Sequence, residues 1–417
     1  MRLLYDILTI ILVIGAIPIF LYRLWREYGF GNRLKQSFGF LPEDVLEPVA
    51  GKKCIWIHAA SVGEIVATSP IVKEIRKELP GRCILVSVVT ASGYEMAKQI
   101  IHEADSIIFF PWDIPWLPGA VIQKVIPAIF LPVETELWPN FLQAIHRLNI
   151  PAVMVNGRIS DKSVNRYIYL RGILTDMLST VDRFCMQSVI DAQYIIRLGA
   201  SPRKVFVTGN TKFDQTYTDI NEAEKHRLAL EFGFSGRSPV LVAGSTHGGE
   251  EEILLEAFKQ VKALFPAAGL ILAPRDILRA DELVTLAGRS GLAAVRRTAV
   301  AEASAGHDVM VLDTIGELGK VYGIGEIVYV GGSLVPHGGH NLLEPAAHGK
   351  PILVGPHMFN FKDSYALFTG RGACDTVYDG DELAEKMLNI LQDDALKTQM
   401  ASQSLAIINE NRGAAQK

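Results

Sequence analysis

The stretch EIVYVGGSLVPHGGHNLLEPAAHGKPILVGP, residues 326–356, reads as strand, glycine-rich turn, helix start and strand. Its apolar runs are short and continuous, as expected of strands buried on both faces, and such strands run parallel beneath helices. A helix starting near Asn341, directly after a strand, presents free backbone N–H groups and a partial positive charge, which suit a phosphate. Gly338 and Gly339 allow a ligand close to the backbone, and Glu344, one turn in, can accept hydrogen bonds from sugar hydroxyls. The same residues also read as a capping pair, Asn341 at the N-cap with Glu344 three residues on, and Pro345 is tolerated in a first turn. The residues alone leave both readings open. No Cys or carboxylate cluster accompanies His337 and His340 at ligand spacing, so they read as turn or ligand-contact histidines and not as a metal pair.

Working outward, the same rhythm precedes this stretch in PVLVAGS (239–245), GLILAPR (269–275) and DVMVLDT (308–314). An earlier series holds CIWIHA (54–59), CILVSVVT (83–90), SIIFFPW (106–112), AIFLPVE (128–134) and PAVMVN (151–156). The polar segment 214–238 separates them. The expectation is an α/β chain with one parallel-sheet domain over 51–213, a linker over 214–238 and a second domain over 239–417 closed by helices. Ligand crevices in such sheets lie at the carboxyl ends of the strands, so the residues just after each strand are the candidates for chemistry.

Length agrees, since 417 residues exceed one ordinary core. With 49% hydrophobic and 21% charged residues and a net charge of −4, the chain is neither disordered nor suited to coating nucleic acid. Cys54, Cys83, Cys185 and Cys374 are scattered and read as reduced thiols. Residues 1–50 are a separate segment. ILTIILVIGAIPIFLY, residues 7–22, is apolar throughout and approaches the length of a membrane span. No small-x-small site follows it, which favours an uncleaved anchor over a signal peptide. Arg23, Arg26, Arg33 and Lys35, opposed only by Glu27, place the rest of the chain in the cytoplasm. Trp25, Tyr28, Phe30, Phe38 and Phe40 interleave with them as a basic, amphipathic flank for anionic lipid.

Three loops carry further candidates. In IHAASVGE (57–64), Ser61 and Glu64 fit a capping box, while Glu64 in the first turn of a helix at a crevice mouth can also act as general base toward a hydroxyl. In FLPVETELWPNF (130–141), Glu134 and Glu136 follow a strand in a loop stiffened by Pro132 and Pro139, which suits acid/base work or a solvated turn. Lys212 of TGNTKFD and Arg275 of LAPRD stand directly after strands, where they meet a phosphate or carboxylate or serve as surface charges. AGSTHGGEEE, with Ser245 and Thr246, and DTIGELGKVYG, with Gly316, complete the set. Asp379-Gly380-Asp381 reads as an N-cap turn, not as a metal site for a nucleotide diphosphate.

Taken in order, HAASVGE, LPVETELWP, NGRIS, TGNTKFD, GSTHGGEEE, LAPR and GGHNLLEPAAHGKPILVGPHMFNF resemble the 3-deoxy-D-manno-octulosonic acid (Kdo) transferases of bacterial lipid A synthesis, over essentially the whole chain. That resemblance implies the GT-B fold: two Rossmann-like domains facing across a cleft, preceded by one N-terminal transmembrane helix. It implies a place in the cell inner membrane with the catalytic domains on the cytoplasmic side. The implied reaction transfers Kdo from CMP-Kdo to the tetraacylated lipid A precursor, with no cofactor, metal or nucleic acid and with inner membrane lipids as partners. Glu64 then matches the proton acceptor, and Glu134 and Lys212 match positions that support the transition state. Pro274, Arg275, Gly316, Glu317, Leu318, Asn341, Leu342, Leu343 and Glu344 match the positions that bind CMP. The rivals are a UDP-sugar transferase, a sugar-nucleotide 2-epimerase, or a membrane-tethered nucleotide-sugar sensor without turnover.

Overall fold

Strands too apolar to face water take the interior, and in this computed structural model they form two α/β units. Residues 1, 27–28, 160–163, 165–170, 216–219 and 303–305 are not among those described. Glu27 and Tyr28 of the basic flank and Ser160 of NGRIS therefore lie outside the described residues.

The first unit comprises residues 1–215 and 411–417. It holds β1 (Ile55–His58), β2 (Ile84–Val88), β3 (Ser106–Phe109), β4 (Ile129–Pro132), β5 (Val153–Gly157), β6 (Arg183–Met186) and β7 (Val205–Val207). One parallel sheet has the order β3-β2-β1-β4 and another the order β5-β6-β7. Parallel bridges from Phe130 to Ala152 and from Val133 to Val155 link β4 to β5. The strands thus follow the doubly wound order, which reverses between β1 and β4. Every residue of β1 and β2 is buried. Trp56 of β1 packs edge-on against Phe141 and Phe130, with ring centroids 5.1 and 6.0 Å away, and its indole N–H is satisfied by Ser87 Oγ at 2.8 Å.

The second unit, residues 216–410, contains β8 (Val240–Thr246), β9 (Gly269–Pro274), β10 (Ala294–Arg296), β11 (Val309–Val311), β12 (Ile327–Val330), β13 (Ile352–Val354) and β14 (Cys374–Thr376). They form one parallel sheet in the order β10-β11-β9-β8-β12-β13-β14. Here the winding reverses between β8 and β12. The opening stretch is the β12–turn–β13 crossover, with Val328 in register with Ile352.

The segment 214–238 is built into a unit instead of serving as a free linker. Helix Glu222–Glu231 starts on an Asn221 cap, and Leu228, Phe232 and Phe234 are buried. With Ile220, also buried, those apolar side chains anchor a segment that is polar in most of its composition. Residues 411–417 return to the first unit, where Asp214 accepts the N–H groups of Gly413 (2.5 Å) and Ala415 (2.7 Å).

The apolar N-terminus forms α1 (Arg2–Gly15) and α2 (Ile17–Arg26), bent by 42°. Among the described residues no single helix is long and apolar enough to cross a membrane, whereas the bent pair meets that test together. Pro18 accounts for the bend, since it lacks an N–H and its ring crowds the carbonyl four residues back. Ile11, Leu12, Ile14, Ile19 and Leu21 are exposed. Other residues of the pair are tied to the first unit: Phe20 lies 5.6 Å from Trp112, and the Tyr5 hydroxyl donates to Asp113 at 2.8 Å. The four cysteines are unpaired thiols, and burial pushes Cys54 up to about 12, which makes it a poor nucleophile.

Candidate active site

In the first unit, the loops after β1, β4 and β7 supply Glu64, Glu134 and Lys212. Helix Val62–Glu78 starts four residues beyond β1 and carries Glu64 in its first turn. The Glu64 carboxylate accepts the N–H of Ala60 at 2.6 Å and the hydroxyl of Ser61 at 3.1 Å. Ser61 makes no bond to a helix N–H, so the reciprocal capping box does not form and the glutamate alone closes the turn. Burial, then the charges of Glu136 and Glu134, push its carboxyl up to about 7, although the Ala60 and Ser61 bonds pull it down.

Glu134 has a left-handed backbone, φ 53°, with its N–H donated to the Val155 carbonyl at 3.1 Å. For a glutamate this conformation costs about 1–2 kcal/mol and aims the side chain where a relaxed loop would not. Its carboxylate holds the Lys212 ammonium at 2.9 Å. Lys212 lies on a 3₁₀ turn, Thr211–Asp214, secured on three sides. Asn210 accepts the Lys212 N–H at 3.0 Å, Asn156 accepts the Thr211 N–H at 3.0 Å, and the Thr211 hydroxyl donates to the Ala67 carbonyl at 2.7 Å. Ala67 belongs to the helix that bears Glu64, so these bonds fix the lysine turn to the helix of the carboxylate.

Sequence reasoning did not single out His58, Trp138 or Asn156. His58 ends β1, fully buried and stacked on Phe110 at 3.6 Å, with Nδ1 3.1 Å from the Ser87 carbonyl. The Trp138 indole N–H lies between Glu136 Oε2 (2.8 Å) and His58 Nε2 (3.2 Å) and thereby fixes Glu136 beside Glu64. A polar residue at the last position of an apolar strand was the available signal.

In the second unit, candidates gather after β8, β9, β11 and β12. Pro274 ends β9, and Arg275 follows with its N–H bonded to the Thr246 carbonyl (2.9 Å) and its side chain exposed. Gly316, at φ 90°, leads into Glu317, the cap of helix Leu318–Ile324. The Glu317 carboxylate is already engaged by Arg297 at 3.1 Å and by the Thr314 hydroxyl, so this turn offers a ligand its backbone. Asn341 accepts the Leu343 N–H and donates to Glu344, both at 3.1 Å. This turn delays the helix to Leu343–Ala347, two residues later than the sequence suggests. Leu342 and Leu343 are core residues. Glu344 is half-buried, and desolvation raises its carboxyl. A Cβ on Gly319 would stand 3.9 Å from the Glu344 carboxylate, and His348 bonds the Gly319 carbonyl at 2.7 Å, so the turns after β11 and β12 meet.

Gly338 and Gly339 are needed for packing inside the unit. At φ 97° and 75°, they make room for the 358–360 segment: Cβ atoms there would lie 2.1 Å from Asn360 Nδ2 and from Met358 Sδ. Glu250, likewise not singled out, is fully buried and accepts the N–H groups of His247, Gly332, Ser333 and Leu334 at 2.7–3.0 Å, with the Tyr329 hydroxyl at 2.7 Å. It locks the turn after β12 to the loop after β8. Asp379 is an N-cap, accepting the Glu382 N–H at 2.9 Å. Among the described residues no group of three His, Cys, Asp or Glu is disposed to hold a metal.

The 3-deoxy-D-manno-octulosonic-acid transferase (kdotransferase) family profile matches residues 32–215. The 3-deoxy-D-manno-octulosonic acid transferase of Haemophilus influenzae is 32% identical over 389 residues, 93% of this chain and 90% of that protein. The Bordetella pertussis transferase is 31% identical over 369 residues, 86% and 84% of the two chains. A solved UDP-GlcNAc 2-epimerase of Neisseria meningitidis, bound to UDP-GlcNAc, superposes with a TM-score of 0.58 at 14% identity, over 86% of this chain and 98% of that one. That likeness is one of fold, the GT-B type of paired doubly wound units. From relatives matched nearly end to end, the chain belongs to the 3-deoxy-D-manno-octulosonic acid transferase family and is a glycosyltransferase.

Proposed function

We propose that the chain transfers Kdo from CMP-Kdo to a hydroxyl of the tetraacylated lipid A precursor, in one inverting displacement that uses no metal ion, with Glu64 as general base. The observation that carries this reading is the Glu64 carboxyl, pushed up to about 7 beside the Glu134–Lys212 ion pair. A base with that affinity is ionised often enough at neutral pH to act, yet holds a proton far better than an exposed glutamate, which suits removal of a hydroxyl proton as the bond forms. Departure of CMP leaves an oxocarbenium-like anomeric carbon that the acceptor oxygen attacks from the opposite face, so one base suffices for each inverting transfer. Lys212, steered by Glu134, offsets negative charge as it builds.

On the donor side the proposed contacts are Pro274 and Arg275, the turn Gly316–Glu317–Leu318, and Asn341–Leu342–Leu343–Glu344. Arg275 supplies charge toward the phosphate, Glu344 accepts ribose hydroxyls, and the leucines contribute backbone. The exposed apolar face of α1 and α2, with Arg23 and Arg26 in the last turn of α2 and Arg33 and Lys35 beyond it, fits residence at the cytoplasmic face of the inner membrane, where the lipid acceptor lies. Mass spectrometry of the tetraacyl precursor, after incubation with the full-length protein and fresh CMP-Kdo, tests the proposal. Addition of one or more Kdo masses is expected, and an unchanged precursor refutes the acceptor assignment.

A further inference from the structure

The loop after β8 and the turn after β12 bring three histidines together. His247 stacks on His337 with ring centroids 4.2 Å apart and on His340 at 5.2 Å, the planes within 14° and 5° of parallel. Nε2 of His247 and Nε2 of His340 are 2.9 Å apart. His337 is exposed and the other two are half-buried, so the cluster is open to solvent. A Cβ on Gly332 would lie 3.1 Å from His340 Cδ2 and 3.3 Å from His247 Cδ2, so the turn held by Glu250 packs beneath both rings.

We infer that His247, His337 and His340 form an oxyanion receptor for the donor, opening their mutual hydrogen bond and taking up a proton when a phosphate or sugar-acid carboxylate binds. This rests on the CMP-Kdo reading above, since that donor carries both groups. The neutral pair places one hydrogen on the Nε2–Nε2 line, with one ring donating and the other accepting. A further proton placed on the accepting Nε2 would set two N–H groups head to head at 2.9 Å, unless an anionic oxygen enters and accepts both. The surroundings already disfavour that proton. Burial, then His247 and Arg275, push His340 down to about 4, with His337 adding to them and Glu250 opposing. Burial, then His337, lower His247; Arg275 and Arg279 act with them, again against Glu250. Neither charge is free to make a direct contact with a ligand: Glu250 is occupied by four backbone N–H groups, and Arg279 is paired with Glu251 (2.8 Å) and Glu282 (3.0 Å). An arriving oxyanion reverses the balance and makes the protonated rings the better state.

Isothermal titration of the full-length protein, in buffers of different ionisation heat near pH 7.5, counts the protons taken up. CMP, cytidine and free Kdo are the three ligands, each run on wild type, His340→Gln and His247→Gln, with thermal melts to establish that the variants fold. A phosphate monoester itself ionises near pH 6, so the decisive quantity is the difference between wild type and variant, in which that contribution cancels. The expected result is uptake of up to about one proton with CMP or with free Kdo, and an affinity that rises up to about tenfold per unit fall in pH. Both effects should be absent with cytidine and abolished in the variants. Uptake with CMP assigns the receptor to phosphate, and uptake with free Kdo assigns it to the carboxylate. Binding of CMP and Kdo with equal proton counts in wild type and variants overturns the receptor and leaves the donor reading standing. Failure of CMP to bind at all overturns the donor reading, and the receptor with it.

Discussion

Replacing Glu64 with glutamine should make the protein more stable at alkaline pH while removing most of its activity. The carboxyl rises from an ordinary 4.5 to about 7, mainly through burial. At 1.36 kcal/mol per pH decade, the ionised form therefore costs the fold about 3 kcal/mol. The native state favours the protonated carboxyl, so this group's contribution to stability is complete below pH 4.5 and is lost as pH rises through 7. Glutamine keeps an oxygen for the Ala60 N–H and offers an amide to Ser61, so it removes the charge with little change of shape. The variant should melt at nearly the wild-type temperature near pH 4 and about 6–12 °C higher at pH 8, at about 2–4 °C per kcal/mol for a unit of this size. Wild-type kcat/KM should climb with pH through about 7, and the variant should lose about 10²–10⁴-fold. A melting difference that does not grow between pH 4 and pH 8 would refute the burial argument. Variant activity within a few-fold of wild type would refute the base.

Lys212→Met should lower kcat about a hundredfold or more yet change stability by less than about 1 kcal/mol, because the ammonium is partly exposed; parallel melts and turnover check this. Arg275→Ala should weaken CMP binding about ten- to a hundredfold, and an unchanged titration would remove its phosphate role. Glu250→Gln turns one acceptor oxygen into a donor facing two N–H groups and should destabilise the second unit by about 2–5 kcal/mol, read as a lowered melting midpoint. Protein lacking residues 1–22 should bind CMP but work poorly on acceptor embedded in vesicles, and full activity there would contradict the anchoring proposal.

The sheets were readable because parallel strands buried on both faces leave continuous apolar runs, such as CILVSVV and GLILAP, that few other structures need. Glu64, Glu134 and Lys212 were likewise readable as residues that closely follow strands, and the fold adds that two of them follow β1 and β4, where the winding reverses. Their mutual contacts were not readable. The Lys212–Glu134 pair spans 78 positions, and the Asn156 bond that fixes the lysine turn spans 55. Glu250 was hidden in a run of three glutamates, because burial and not identity separates it from Glu252. The segment 214–238 misled because a few apolar anchors, Ile220, Leu228, Phe232 and Phe234, outweigh the polar majority once they are buried.

Asp113 has a mechanical consequence. One carboxylate receives the Tyr5 hydroxyl from α1 and the N–H groups of Asn140 (3.0 Å) and Phe141 (2.7 Å), which open the helix Pro139–Arg147. That helix begins directly after Trp138, whose indole steadies Glu136 beside Glu64. If the apolar N-terminus rests in the membrane as proposed, it is a lever as well as a tether. A bilayer too thick or too thin for α1, or a detergent that tilts it, pulls on the footing of the loop that sets the charge around Glu64, so turnover should vary with acyl-chain length even when every substrate is saturating.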